Sequence, residues 1–231
     1  MAGSPTRRGF LGGAATAAAV GLAGCTGSGG GNSDSDDEAG VALTDHPLGE
    51  DLDRWPHLGP DPFEAPATLV VLDDPSCPTC ARFHRNTITE LESSYVADGD
   101  LALAIRPYPV VYPWGEPAAH ILEATVPRDE AVFWDLLEQY FADQDAFNTD
   151  NVRSRSETWL EENTDLDAAA VIDDADSEPA TSRIEATLSA GEEAGAGSVT
   201  PATFAFVDGT LRTSLNGSVS TNTVETALKL G

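Results

Sequence analysis

The chain has 231 residues and a formal net charge of −27 at pH 7, from 39 acidic residues against 12 lysines and arginines. So acidic a surface repels nucleic acid and anionic lipid headgroups, which excludes a role in nucleic-acid binding. The hydrophobic fraction of 41% is ordinary for a folded protein and predicts one well-buried core with an insertion.

The N-terminus carries the features of an export signal. Arg7 and Arg8 are followed by Phe and Leu, and then by a short, weakly apolar run of Ala and Gly that ends at Ala23. The arginine pair resembles a twin-arginine export signal, and the apolar run is too short to span a bilayer. We therefore predict a signal peptide over residues 1–24.

The signal ends in Leu22-Ala23-Gly24-Cys25, which resembles a lipoprotein processing box. On this interpretation cleavage occurs before Cys25, and the Cys25 sulfur carries the lipid that anchors the protein to a membrane. The alternative is an ordinary cleaved leader with a spare cysteine.

Residues 25–40 predict a flexible acidic tether. They are mostly Gly, Ser, Asn and Asp, and so polar a segment cannot repay the entropy of ordering it. A lipid followed by a tether predicts a lipid-anchored protein at the outer face of the cytoplasmic membrane. Disulfides persist in exported proteins.

The first half of the folded part predicts a β-α-β unit. Residues 41–66 are rich in Pro, Asp and Gly and predict an irregular lead-in, whereas the apolar, β-branched run at 67–73 predicts a buried strand. A helix is expected to begin near Cys77, with Ser76 as its N-cap. Residues 101–105 predict a second buried strand.

A helical block is predicted from residue 114 to about residue 197. Its clearest signal is an apolar stripe at i, i+3, i+4, i+7 and i+8. The residues of this stripe are Phe133, Leu136, Leu137, Tyr140 and Phe141. Helix breaks are expected at Pro127, Asn148, Asn163 and Pro179.

The C-terminal part predicts a hairpin and a helix. Two β-branched runs, at 203–207 and 210–215, flank an Asp208-Gly209 pair that suits a tight turn. A final helix is expected to start near Asn222, whose spacing to Glu225 suits a capping box.

The resulting order is β-α-β, a helical block, and β-β-α. This order predicts the α/β class, as a thioredoxin fold with a helical insertion of about 114–197 between its two halves. The domain so defined covers residues 67–231.

Cys77 and Cys80 are the candidate catalytic residues, because two cysteines three positions apart at a helix start lie on one turn. The helix N-terminus offers unpaired N–H groups and a positive potential to the first sulfur, which lowers its pKa. Cys80 falls on the buried face and should stay protonated. The spacing therefore predicts that Cys77 attacks a substrate and Cys80 resolves the mixed disulfide.

Two other interpretations of this motif remain open. A structural disulfide is weakly supported, because a two-residue loop gains little closure entropy. A zinc site usually needs four ligands, and Cys77, Cys80 and His84 supply three at most. A fourth ligand would have to be His46, His57, His120 or a carboxylate.

Thr200-Pro201 forms a second candidate element just before the strand at 203. A proline at a strand entrance is common, but cis peptide bonds are mostly X–Pro bonds. We therefore weigh a cis-proline loop in which Thr200 presents its backbone to an extended substrate peptide.

Two segments together point to a family. Residues 72–84, which contain Cys77-Pro78-Thr79-Cys80, are similar to the active-site segment of DsbA-like thioredoxin-fold proteins, and residues 197–209 resemble their cis-proline loop and hairpin. The resemblance implies that Cys77 is the nucleophile, that Cys80 pairs with it in a redox-active disulfide, and that Pro201 is the cis-proline beside them. Thr79 departs from the histidine that oxidases of this family often carry.

The resemblance implies an exported thiol–disulfide oxidoreductase that exchanges disulfides with other exported proteins. No cofactor beyond the cysteine pair is expected, and a membrane-bound redox partner would recycle that pair. The alternative is a tethered module that binds metal or acts as a chaperone without redox turnover. The acidic surface, with a single lysine, resembles that of proteins from extreme halophiles.

Overall fold

The computed structural model describes residues 40–231. The predicted signal peptide, the predicted lipidation site at Cys25 and the tether up to residue 39 lie outside the described residues. Within residues 40–231, no helix combines the length and hydrophobicity that crossing a bilayer requires.

The described residues form one five-stranded sheet in the order β1-β3-β2-β4-β5. The strands are β1 His57–Leu58, β2 Ala67–Asp73, β3 Leu101–Pro107, β4 Ala202–Val207 and β5 Thr210–Asn216. β2 and β3 are parallel, and every other neighbouring pair is antiparallel. Every residue of β2 and β3 is buried, as expected for strands covered on both faces.

The helices occupy the connections that the sequence predicts. They are α1 Pro78–Phe83, α2 Thr89–Leu91, α3 Gly115–Thr125, α4 Glu130–Ala142, α5 Val152–Asn163, α6 Ala168–Ala175, α7 Glu178–Glu193 and α8 Thr221–Leu228. Two π-helical segments, His84–Ile88 and Glu92–Val96, extend α1 and α2 into one continuous active-site helix. With α3 to α7 inserted between the β-α-β and β-β-α halves, the predicted fold class is confirmed.

Three local predictions were wrong. The N-cap of α1 is Cys77, because its sulfur accepts the Cys80 N–H while the Ser76 hydroxyl bonds a carboxylate instead. Pro179 does not break a helix but lies in the first turn of α7, where its missing N–H removes no helical hydrogen bond. The N-cap of α8 is Ser220, whose side chain accepts from the Thr223 N–H, so Asn222 lies inside that helix.

The lead-in is more ordered than predicted, because it folds as three short 3-10 helices before β1. Its first residues attach to β5. Ala42 bridges Thr210, and the Gly40 N–H donates to the Leu211 carbonyl oxygen at 2.9 Å. This attachment lies beside the tight turn between β4 and β5, where Asp208 and Gly209 both have positive φ.

The core lies on both faces of the sheet. Leu69 and Val71 of β2 face the cluster formed by α1, α3 to α6 and α8, and both cysteines belong to this cluster. Val70 and Leu72 alternate with them and face the lead-in and α7. The period-two alternation of β2 thus places the cysteine pair on the same side as most of the helical insertion.

Candidate active site

Cys77 and Cys80 lie where the chain passes from β2 into the active-site helix. Cys77 is the more accessible of the two, with 4% relative exposure against 0% for Cys80, and the structure shows both as free thiols. The Cys77 sulfur accepts a hydrogen bond from the Cys80 N–H at 3.4 Å. The first cysteine therefore has the unpaired N–H groups of a helix start directed at its sulfur.

The surroundings of Cys77 favour its thiolate. A hydrogen bond with the Cys80 thiol, the side chain of Thr200, and the backbone N–H groups of Cys80 and Thr79 lower the Cys77 pKa to about 6, against the opposing effect of burial. A thiol with this pKa is mostly ionised at neutral pH and is therefore the more reactive of the pair.

The Thr200–Pro201 loop closes over the same sulfur. The peptide bond between the two residues is cis, and the Cys77 thiol lies 3.5 Å from the Thr200 carbonyl oxygen, to which it donates when protonated. Antiparallel pairing of β2 with β4 sets Leu72 opposite Ala202 and so brings this loop to the end of β2. The buried Thr200 hydroxyl has no hydrogen-bond partner within residues 40–231 when Cys77 is a thiol, and it stabilises the Cys77 thiolate once the proton has left.

Cys80 is held as a thiol. Burial, the hydrogen bond with Cys77, and the charge and hydrogen bond of Asp73 all raise the Cys80 pKa. Asp73 is 1% exposed, and its Oδ1 atom accepts no hydrogen bond within residues 40–231. The resolving position therefore has a buried carboxylate next to it as a proton acceptor.

Asp73 also connects Cys80 to a cavity. Its Oδ2 atom lies 2.5 Å from Nε2 of His84, whose side chain is 17% exposed and packs on Phe141 with ring centroids 4.5 Å apart. His84 begins the first π-helical segment and lines a cavity of about 670 Å³. Such π-helical turns are rare and frequently occur at functional sites. The contacts form a continuous path from Cys80 through Asp73 and His84 to this cavity.

Asp74 fixes the loops around the cysteine pair. It is fully buried, and burial raises its pKa although hydrogen bonds from Ser76, Val111 and Val110 oppose that shift. One oxygen accepts the Ser76 N–H and hydroxyl at 2.7 and 2.6 Å, and the other accepts the Val110 and Val111 N–H groups at 2.8 and 2.7 Å. A Cβ on Gly115 would lie 2.5 Å from the first oxygen. Asp74 thus joins the loop after β2 to the loop after β3.

From the sequence alone, a proton relay through Asp73 or Asp74 is the weaker of two interpretations, and the buried roles of both carboxylates do not follow. Placed in an Asp-Asp-Pro-Ser break on so acidic a chain, the two residues resemble solvated loop carboxylates. The available signal was the Asp-x-Ser spacing of Asp74, because aspartate commonly bonds its own backbone two residues on.

A groove of about 880 Å³ opens beside Cys77, with Ser76 and Pro78 at one end and Phe147 further along. Tyr112 and Trp114 form part of its wall. Tyr112 is 52% exposed, and Val111 and Val199 next to the site also expose much of their surface. The exposed apolar side chains around the nucleophile offer a surface to a polypeptide substrate.

No group of three or more His, Cys, Asp and Glu side chains within residues 40–231 is arranged to hold a metal ion. The three candidate zinc ligands make contacts elsewhere: His84 forms a hydrogen bond with Asp73, and the two cysteines interact with each other. A thiolate at a helix start, a buried thiol one turn later and a cis-proline loop over both form the arrangement of a thiol–disulfide oxidoreductase with a thioredoxin fold.

Comparison with known proteins agrees with this class. The family model described as Thioredoxin matches residues 58–228, and the chain belongs to this thioredoxin family. A comparison with curated protein sequences found no match.

Three solved structures illustrate the shared fold. The chain is similar to oxidised BdbD from Bacillus subtilis, with a TM-score of 0.65 and 21% identity over 77% of this chain and 95% of that one. It is similar to the thiol-disulfide exchange protein alpha-DsbA2 from Wolbachia pipientis, with a TM-score of 0.60 and 17% identity over 79% and 92%. The third is a periplasmic thioredoxin-like protein from Salmonella enterica serovar Typhimurium, with a TM-score of 0.58 and 21% identity over 76% and 88%.

Proposed function

We propose that the protein exchanges disulfides with other exported proteins through Cys77 and Cys80. The observation that carries this proposal is the placement of the two sulfurs: Cys77 lies at the helix start under the cis-proline loop, and Cys80 is buried one turn later. This placement lowers the pKa of the Cys77 thiol and raises that of the Cys80 thiol. A pair divided in this way has one sulfur ready to attack and one that acts only after the first has reacted.

In the reducing direction, the Cys77 thiolate attacks one sulfur of a substrate disulfide. The Cys77–substrate bond forms, the substrate disulfide breaks, and the leaving sulfur departs as a thiolate that takes a proton. Cys80 then loses its proton and attacks the Cys77 sulfur, which releases the second substrate sulfur as a thiolate. Two electrons pass to the substrate, and the protein is left with a Cys77–Cys80 disulfide. Oxidation of a substrate dithiol is the reverse.

The resolving step needs a base, because a thiol as buried as Cys80 is a poor nucleophile until it is deprotonated. Asp73 contacts this thiol and accepts its proton. His84, which contacts the other carboxylate oxygen, carries the proton on to the cavity that it lines, and the return path serves the reverse reaction.

We place this activity outside the cytoplasm, at the outer face of the cytoplasmic membrane, with Cys25 as the lipid attachment site. Two of the similar proteins support the location and the chemistry, because the one from Salmonella is periplasmic and the one from Wolbachia is a thiol-disulfide exchange protein. A membrane-bound partner that renews the cysteine pair completes the proposal.

A glutathione redox titration of the protein in concentrated salt tests the function. We expect a reversible two-electron couple that C77S and C80S each abolish. A potential of about −120 to −180 mV would indicate an oxidase or isomerase, and one of about −270 mV a reductase. A pair that exchanges with neither glutathione nor a model disulfide peptide would refute the proposal.

A further inference from the structure

Two arginines enter the groove beside the nucleophile. Arg82 and Arg85 lie three positions apart on the active-site helix, both are exposed, and both line the groove that begins at Ser76 and Pro78. Arg82 donates a hydrogen bond to the Thr79 hydroxyl at 3.2 Å. Neither guanidinium forms an ion pair with any carboxylate of residues 40–231.

Most other described arginines are already engaged. Arg106 is buried and donates to a carbonyl oxygen, and Arg155 packs over an aromatic ring. The four that form ion pairs are Arg54, Arg128, Arg153 and Arg183. In a chain with 39 acidic residues, two neighbouring arginines without a carboxylate partner are therefore unusual, and they line the same groove as Ser76 and Pro78, the residues on either side of Cys77.

The remaining side chains of the groove suit a peptide. Tyr112, Trp114 and Phe147 supply aromatic surface, and the amide of Gln144 donates to the Pro75 carbonyl oxygen at 2.9 Å. Asp143 and Asp145 also line the groove, and Asp143 is bonded by Gln139 at 2.8 Å. Two arginines and two aspartates leave the groove close to neutral on a protein whose net charge is −27.

We propose that this groove binds the part of the substrate that flanks its reacting cysteine, and that it selects substrates with Asp or Glu there. This inference rests on the proposed function. Arg82 and Arg85 pair with the substrate carboxylates, and the aromatic wall packs against the apolar part of the segment. Guanidinium–carboxylate pairs are short and bidentate, so they persist in salt that screens longer-range attraction. The remaining negative surface would otherwise repel such substrates.

The test compares three disulfide-bonded peptides that differ only at the two residues flanking one cysteine: Asp-Asp, Asn-Asn and Lys-Lys. The wild-type protein, R82Q/R85Q and R82E/R85E are assayed for kcat/KM with each peptide. R54Q/R212Q is the matched control, because it removes the same charge from exposed arginines outside the groove.

We expect the wild-type protein to favour the Asp-Asp peptide over the Asn-Asn peptide by about tenfold. R82Q/R85Q should lose this preference, while its kcat/KM for the Asn-Asn peptide stays at the wild-type value. R82E/R85E should favour the Lys-Lys peptide. The control R54Q/R212Q should behave as the wild-type protein does. Iodoacetamide alkylation of Cys77 should keep its pH midpoint in every variant, because neither arginine contributes to the lowered Cys77 pKa.

Four outcomes would overturn the inference. An equal loss with all three peptides would mean that the arginines support the fold or the nucleophile rather than select a substrate. An unchanged preference in R82Q/R85Q would mean that the acidic segment binds elsewhere. If the wild-type protein exchanges none of the peptides, the proposed function fails and this inference fails with it, whereas exchange without charge preference refutes the inference alone.

Discussion

The Cys77 sulfur lies 3.5 Å from the carbonyl oxygen of Thr200, although 123 positions separate the two residues in the chain. The β-α-β half supplies the sulfur and the β-β-α half supplies the loop that covers it. The reactivity of Cys77 therefore depends on correct pairing of β2 with β4, and not only on the helix that follows it.

Alkylation of the reduced protein should report the lowered pKa of Cys77. The rate of iodoacetamide modification should rise with pH and reach half its plateau at a pH of about 6. In T200V the midpoint should move upward, because the variant removes a hydroxyl that stabilises the thiolate. Cys80 should stay unmodified in the folded protein. A wild-type midpoint in the usual thiol range near 8.5 would contradict the assigned environment.

The stability of the reduced protein should depend on pH more steeply than that of the oxidised protein. The folded pKa of Cys77 is depressed, so the reduced protein gains stability as pH rises above about 6 and loses it as pH falls through that value. Between pH 5 and 8 the gain should be about 2 kcal/mol in the free energy of unfolding. Denaturant titrations of both forms at several pH values measure the difference. If the free energy of unfolding changes equally with pH in the two forms, the thiolate is not stabilised.

D73N should slow the resolving step while leaving the first attack intact. Cys80 then lacks the carboxylate that accepts its proton, so release of a chromogenic thiol from a Cys77 mixed disulfide should slow by about 100-fold. The rate of Cys77 alkylation should remain within about twofold of wild type. H84F should slow the same step less, because the carboxylate remains.

D165N is the control for D73N, because it changes an exposed carboxylate after α5. The control should resolve the mixed disulfide at the wild-type rate. Normal resolution by D73N would show that the Cys80 proton leaves by another route.

Replacing Asp74 should destabilise the whole active-site region. D74A leaves the N–H groups of Val110 and Val111 and the hydroxyl of Ser76 without their acceptor, which should cost about 3 kcal/mol or more. G115A should cost about 1 to 3 kcal/mol, because its new methyl group meets the same carboxylate. Chemical denaturation measures both, with D98A as an exposed control. Wild-type stability in D74A would mean that water replaces the carboxylate at no cost.

Thermal stability should increase with salt. A net charge of −27 produces self-repulsion that falls as added salt shortens the screening length from about 10 Å at 0.1 M to about 3 Å at 1 M. The melting temperature should therefore rise steadily between 0.1 and 3 M KCl, and a melting temperature independent of salt would contradict the halophilic interpretation.

The fold could be predicted from the sequence because its signals are local. The β-branched runs of β2 and β3, the stripe of α4 and the Asp208-Gly209 turn each lie within a few residues. α6 falls inside the predicted helical block but has no apolar stripe that marks it as a separate helix, since its eight residues present only a short Ala-rich pattern between two polar helices. Hydrophobic periodicity needs more turns than this to stand out.

The site was predicted only where its residues form motifs. Cys77 and Cys80 stand out by their spacing, and Thr200-Pro201 by its place before a strand. The pairing of Asp73 with His84 joins residues 11 positions apart through the end of a strand and a π-helical turn. Neither the depth of that carboxylate nor the orientation of the imidazole follows from local pattern, because both depend on how α4 packs against the active-site helix.

The bonds that hold Gly40 and Ala42 to β5 determine where the rest of the polypeptide joins the domain. They lie beside the β4–β5 turn, whereas Pro201 and the cysteine pair lie at the other end of β4, roughly 20 Å away. The length of β4 therefore separates the point where residue 40 joins the sheet from the end of the domain that carries the cysteine pair, so disulfide exchange at that end leaves the junction untouched.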